Sequence, residues 1–316
     1  MMIWLIFATA FFSSPVNCKT DDIFLENIEY RKNASHAKIN QIIQDKQGYL
    51  WIGESGGLYR FDGKNSQLYK NIKSVDSSLS NNVITRLFID RSNIFWVLTE
   101  NGLNRFMPSQ NKFVNYYNEP GNRFSLSHNH VETIYQDHAG RIWIGTFGGG
   151  LNRFDPLKNR FIRYPDLINE QEAVRLKFIN CIIENKGDQL LLGTHQGIAI
   201  LKTQSRNFRY IRFSDQKKFN SSSNYITAFY IDKKKRILVG TKNGIFFFDN
   251  KFDKLIPFPI KTRHGNILEN IHITQFFEDQ SNHFWIATRS GLLLMDRRKN
   301  HFHLYKKRTN FGNSLR

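Results

Sequence analysis

Cysteine is nearly absent, with two in 316 residues, which excludes a disulfide scaffold and a Cys-rich zinc fold. Acidic residues are scarce beside basic ones, 27 against 45, and the resulting charge of +18 keeps a nucleic acid, an anionic glycan or an acidic surface among the partners to consider. Long apolar runs are missing too. The single one, Met1 to Phe12, has about half the ~20 residues that a spanning helix needs. What remains, 40% hydrophobic and 23% charged, is too balanced for wholesale disorder and long enough for a substantial core.

The start MMIWLIFATAFFSSPVNC reads as an apolar segment, helix-breaking Ser13, Ser14 and Pro15, and a cleavage site at Val16-Asn17-Cys18. The expectation is a secretory signal over 1–18 and a mature domain over 19–316. Two alternatives stay open: a first buried strand, because no Lys or Arg precedes the apolar segment, and lipid attachment at Cys18. Cys181, in the apolar run FINCII, reads as strand filling.

The informative feature is a repeat. DKQGYLWIGESGGLYRFD returns as DRSNIFWVLTENGLNRFM, DHAGRIWIGTFGGGLNRFD, NKGDQLLLGTHQGIAIL, DKKKRILVGTKNGIFFFD and DQSNHFWIATRSGLLLMD. Anchored at Trp51, Trp96, Trp143, Leu191, Leu238 and Trp285, the units are spaced by 45, 47, 48, 47 and 47 residues. The sixth residue after each anchor is Gly57, Gly102, Gly149, Gly197, Gly244 or Gly291. With 20 glycines in the chain, six coincidences have odds on the order of one in ten million.

Other columns have physical tasks. Ile39, Ile84, Val131, Ile179, Ile226 and Ile273, then Ile42, Leu87, Ile134, Ile182, Phe229 and Phe276, read as the buried side of a strand. Asp45, Asp90, Asp137, Asn185, Asp232 and Asp279, each followed three residues on by Gly, Asn, Asp or Lys, read as a side-chain-capped turn. Thr99, Thr146, Thr194, Thr241 and Thr288 match three after the anchor, Glu54 being the exception. Each unit therefore predicts four short strands: one ending at the Asp turn, the anchor strand, one after the glycine, and a Phe-x-x-Tyr strand. About 47 residues with four strands is a blade, and the fold class is all-β, a β-propeller with six complete blades and the beginning of a seventh at the C-terminus.

The strings NQIIQDKQGYLWIG, NHVETIYQDHAGRIWIGTFGGGLNRFDPLKNRF and HITQFFEDQSNHFWIATRSGLLLMD resemble two-component regulator propeller repeats. That resemblance implies an extracytoplasmic, periplasmic sensor region of a bacterial hybrid sensor kinase or diguanylate cyclase. It further implies seven blades per propeller, closure by an N-terminal strand such as Ile23 to Tyr30, a homodimer in the full-length protein, and a membrane anchor and output domain beyond residue 316. The expectation is thus an N-terminal portion of a longer protein, sensing a small-molecule or glycan ligand of anionic character, without catalysis or cofactor in this chain. The alternative is a secreted propeller that binds or processes an envelope or environmental glycan.

Catalytic and metal motifs are weak. Gly53-Glu54-Ser55-Gly56-Gly57 matches a nucleophile elbow in spelling, but Ser55 falls in a strand-to-strand turn rather than the strand-turn-helix that elbow requires. His128-x-His130 and His301-x-His303 lack an indicated third ligand and read as solvated histidines. The D-x-x-G-x-x-W string is a structural turn, and spacing singles out no carboxylate pair for glycosidic chemistry. The basic residues are spread, which argues against nucleic acid.

Alternating strand direction puts the turn between strands two and three on the face that also carries the connection to the next blade. One residue per blade in that turn, Ser55, Glu100, Phe147, His195, Lys242 and Arg289, shares no chemistry across the repeat. Such a column is either plain solvent surface or a ligand-binding ring, with Phe147 the candidate for stacking.

Overall fold

The computed structural model describes Tyr30 and residues 38–164, 170–205, 207–211, 225–251, 253–262, 264–279, 281–296 and 301–306. The expected signal at 1–18, the strand Ile23 to Tyr30 apart from Tyr30 itself, and the start of a seventh repeat lie outside them.

Six four-stranded antiparallel sheets follow in chain order. They are β1 to β4 (Ile39–Gln44, Leu50–Glu54, Gly57–Phe61, Ser66–Tyr69), β5 to β8 (Ile84–Ile89, Phe95–Thr99, Gly102–Met107, Lys112–Tyr116) and β9 to β12 (Val131–Gln136, Ile142–Thr146, Leu151–Asp155, Arg160–Arg163). After the short helix α1 (Glu170–Arg175) come β13 to β16 (Ile179–Asn185, Gln189–Thr194, Gly197–Lys202, Phe208–Ile211) and β17 to β20 (Ile226–Ile231, Ile237–Thr241, Gly244–Asp249, Lys254–Phe258). A ribbon of β21 (Ile260–Lys261) and β22 (Ile267–Leu268) leads to β23 to β26 (Ile273–Glu278, Phe284–Thr288, Gly291–Asp296, His301–Tyr305). The fold is a β-propeller of six blades, as the repeat predicts.

One carboxylate organises most blades. Asp137 takes the Arg141 amide on Oδ1 (2.9 Å) and the Trp143 indole N–H on Oδ2 (2.8 Å), tying the turn to the second strand. Asp45 with Trp51, Asp90 with Trp96 and Asp279 with Trp285 repeat the bond at 2.7, 3.0 and 3.0 Å. Blade four departs at both partners together, Asn185 and Leu191, and blade five turns Asp232 to Arg236 Nε at 2.7 Å. The turns then close through left-handed residues Gly48, Asn93, Gly140, Asp188, Lys235 and Asn282.

The repeat threonine donates to the glycine carbonyl of its own turn, as in Thr99 to Gly102 (2.9 Å) and Thr288 to Gly291 (2.7 Å). In blade three the extra residue moves this partner to Gly150, which Thr146 reaches at 2.9 Å, so the structural equivalent of the repeat glycine is Gly150 rather than Gly149. Glu54, the exception among the threonines, is buried and accepts from the Tyr30 hydroxyl.

Blades pack face to face. Glycine two residues after the anchor leaves room for the next inner strand: a Cβ on Gly145 would lie 2.7 Å from Ile179 Cγ2, and one on Gly240 2.7 Å from Ile273 Cγ2. Five apolar clusters bridge successive blades, the first joining Trp51 and Tyr69 to Leu87, Phe95 and Phe106. The sixth, Ile39, Ile52 and Phe61, draws among the described residues on blade one and Tyr30 alone.

Asp137→Ala strands the fully buried indole N–H of Trp143 and is expected to cost roughly 2–3 kcal/mol in urea unfolding. Asp232→Ala, which loses only an exposed ion pair and turn bonds, is expected to cost less than half as much. Equal losses would show that the indole bond is not what the turn carboxylate contributes.

Candidate functional site

The turn between strands two and three is held to the entrance of its own blade by a backbone bond. Phe147 N donates to His130 O (2.9 Å), Lys242 N to Tyr225 O (3.2 Å) and Arg289 N to His272 O (3.1 Å). The same bond links Ser55 to Lys38 and Glu100 to Val83. Each blade therefore offers two neighbouring side chains on one face, and the sequence reading had identified only one of them. The signal for the other was available as a second unconserved column, thirteen before the anchor: Lys38, Val83, His130, Phe178, Tyr225 and His272.

Across blades three to five these side chains meet. The extra residue of blade three lets Phe147 bridge to Phe178, with Gly148 N donating to Lys177 O at 2.9 Å. Phe178 stacks on His195 (4.7 Å, 5° between planes), and His195 stacks on Tyr225 (4.1 Å). Lys242 Nζ caps the outer face of Tyr225, 3.4 Å from the ring centroid, a cation–π contact. Phe147 closes the other end, edge-on to Phe178 (4.8 Å) and His195 (5.5 Å) and 5.1 Å from His130. The result is an arc of rings ending in cations.

Electrostatics follow from the packing. His272 is pushed down to about 4 by burial and by the charges of Arg289 and Lys242, so it is neutral at physiological pH and reports a positive potential at that end. His195 is lowered by burial and then by Lys242, and its Nε2 is buried without a hydrogen-bond partner. Phe147 keeps 39% exposure, and Arg289 is exposed.

The ring expected from the sequence is therefore half assembled. Phe147, His195 and Lys242 are joined through Phe178 and Tyr225, with Arg289 beside them. Ser55 and Glu100 stand on the same face, exposed, and outside the arc. Ser55 Oγ accepts from the Lys38 amide at 3.3 Å. Cys181 is buried and pushed up to about 12 by its burial, in keeping with strand filling.

The histidine pairs divide on the solvated reading: His128 is exposed and His130 half-buried, whereas His301 is buried. His128 Nδ1 accepts the His130 amide (3.0 Å), and burial lowers its pKa. His301 is buried, with Nε2 3.2 Å from that of His303. On the opposite face His138 sits between Glu184 of blade four, bonded to Nδ1, and Asp188, 3.4 Å from Nε2. Both imidazole nitrogens face carboxylates, so His138 occupies the place that Lys233 takes against Glu278 (2.8 Å) two blades later. It is an inter-blade ion-pair partner when protonated, and its bond to Glu184 raises its pKa.

A sequence profile described as a two-component regulator propeller matches residues 34–56 and 125–148, parts of the first and third repeats. No curated protein matches the chain. Among solved structures, a chain described as the extracellular domain of a hybrid two-component system from B. thetaiotaomicron is 23% identical with a TM-score of 0.72. The match covers 88% of this chain and 36% of that one, so this chain spans about a third of its length. PorZ, a surface component of the type-IX secretion system of Porphyromonas gingivalis, is 17% identical over 91% of this chain and 44% of its own (TM-score 0.62). Virginiamycin B lyase from Staphylococcus aureus is 14% identical over 85% and 84% (TM-score 0.59). At these identities the likeness is one of fold.

The two kinds of histidine titrate in opposite senses. The depressed pKa of His272 costs stability as pH falls from about 6.5 towards 4, because the unfolded chain takes up the proton first. The raised pKa of His138 contributes stability below the ordinary histidine range that is lost as pH rises through its folded value. Melting temperatures between pH 4 and 8 should show His272→Asn gaining on the parent as pH falls and His138→Asn losing ground. Parallel curves for all three proteins would contradict both assignments.

Proposed function

We propose that this chain is the ligand-recognising propeller of an extracytoplasmic, bacterial transmembrane signalling protein, and that it binds its ligand on the arc of blades three to six without catalysing a reaction. The observation that carries this reading is the continuous stack Phe178, His195, Tyr225 and Lys242, closed at one end by Phe147, with the charge of Arg289 acting on Tyr225 and His272 at the other. These side chains come from columns that have no common structural task, yet among the described residues they converge in three successive blades and not in the first two. An unselected solvent column has no reason to do so.

The chemistry fits a small molecule or glycan bearing an anionic group. Lys242 and Arg289 supply charge, neutral His272 and His195 supply imidazole hydrogen-bonding groups, and Phe147 supplies a partly open ring face. The similarity to an extracellular domain of a hybrid two-component system and the family of the repeats support the signalling context and the periplasmic location. Dimerisation of the full-length protein, with this propeller as a rigid input module, belongs to the same proposal.

Thermal-shift screening of the chain against a panel of anionic and neutral saccharides and small carboxylates tests the site. A ligand at 100 times its Kd stabilises by about 2.7 kcal/mol. The expected result is a hit whose shift disappears in His195→Ala/Lys242→Ala/Arg289→Ala, while Ser55→Ala/Glu100→Ala keeps it. A hit that survives the triple change would place recognition elsewhere.

A further inference from the structure

Each inner strand carries a register break at its second residue, between Ile39 and Gln41, Ile84 and Arg86, Ile179 and Cys181, Ile226 and Ala228, Ile273 and Gln275, and opposite Gly145/Thr146 in blade three. The bulged residues are Asn40, Thr85, Glu132, Asn180, Thr227 and Thr274. A bulge frees its side chain from the ladder and re-aims it.

In three blades that side chain stitches one blade to the next. Asn40 Nδ2 donates to Ile84 O (2.7 Å), Thr85 Oγ1 to Val131 O (2.5 Å) and Asn180 Nδ2 to Ile226 O (2.7 Å), each acceptor being the first residue of the following inner strand. Thr227 and Thr274 keep a donor at the position. Glu132 does not, because an ionised carboxylate only accepts. Blade three, where the arc begins, thus replaces a structural donor with a charge.

Glu132 is held in place without being used up. Its carbonyl accepts Arg86 Nε (3.1 Å), and its Oε2 lies 3.4 Å from His130 Nε2, with about a third of the side chain exposed. Its charge acts on His195 and Tyr225 of blades four and five. The arc therefore has a negative point near its blade-three end and Lys242 with Arg289 at its far end.

We propose that Glu132 is the specificity-determining residue of the arc, selecting ligands that present a hydrogen-bond-donating group, ammonium or hydroxyl, to blade three while their anionic group lies toward Lys242 and Arg289. The proposal rests on the arc being the ligand site. A plain dianion is drawn by the cations but meets like charge at Glu132, and its carboxylate has no proton to offer there.

Two probes of the same ring and one shared carboxylate separate the terms: 4-(aminomethyl)benzoate and terephthalate, titrated into the histidine-labelled 316-residue chain and followed by NMR. The parent chain should bind the amine probe about tenfold more tightly, the size of one charge-assisted hydrogen bond in a part-exposed site, with the His195 and His272 signals moving. Glu132→Gln should abolish the preference. Glu132→Asn should also abolish it while matching or exceeding the parent melting temperature, since it restores the donor used in blades one and four; a purely structural role for Glu132 predicts the reverse. Equal affinity of the two probes in the parent, or a preference unchanged in Glu132→Gln, would overturn the selectivity while leaving the arc as the site. If neither probe moves His195, the arc reading fails and the selectivity with it.

Discussion

The bond from the turn carboxylate to the indole of the second strand is the constraint on which blade after blade is built. A buried indole N–H requires an acceptor, and the turn six residues earlier is the nearest place to put one. By serving the turn amide with one oxygen and the indole with the other, Asp45, Asp90, Asp137 and Asp279 fix the start of the second strand relative to the first. The indole then fills the space toward the next blade, as Trp51 does against Phe95 at 4.6 Å. Blade four replaces both partners, with Asn185 and Leu191, whereas blade five, with Leu238 and no indole, keeps Asp232 and turns it to Arg236.

With turn, glycine and inter-blade packing assigned to fixed columns, the side chains at the two column positions on the connection face are free of structural duty. Freedom alone leaves a side chain exposed, as Ser55 and Glu100 are. Blades three to six use it differently, because the extra residue at Phe147 carries that ring across to Phe178 and starts a stack that Lys242 finishes. The scaffold is repetitive and the site is not, which is how a repeat fold carries one specific surface.

The blade count, the four strands per unit, the Asp turns and the face on which the variable column lies were legible in the sequence, because identical geometry forces identical residues at the same place in every unit. The arc was only partly legible. Phe147, His195, Lys242 and Arg289 were visible as a column without agreement, but their partners Phe178, Tyr225 and His272 precede the strand, and adjacency across a blade entrance is a matter of backbone pairing rather than spacing. Glu132 was hidden for a different reason: its meaning lies in the donor that Asn40, Thr85 and Asn180 supply, and that donor's role is a bond between blades. His301 was misread because an outer strand of basic residues looks solvated until its burial is known. The glycine of blade three was displaced by one residue for the same cause that creates the arc.

The central claim is that blades three to six hold a preorganised array in which His195 is kept neutral by burial between rings beside a cation, and His272 by burial and the charges of Arg289 and Lys242. Its most direct measurement is the pH titration of assigned histidine side-chain NMR signals in the 316-residue chain. The account predicts that His195 and His272 remain neutral at pH values where an ordinary histidine is half protonated, while His138 holds its proton above that range. Titration of all three together near the ordinary histidine pKa would contradict it, because histidines spread over an open surface behave in that way.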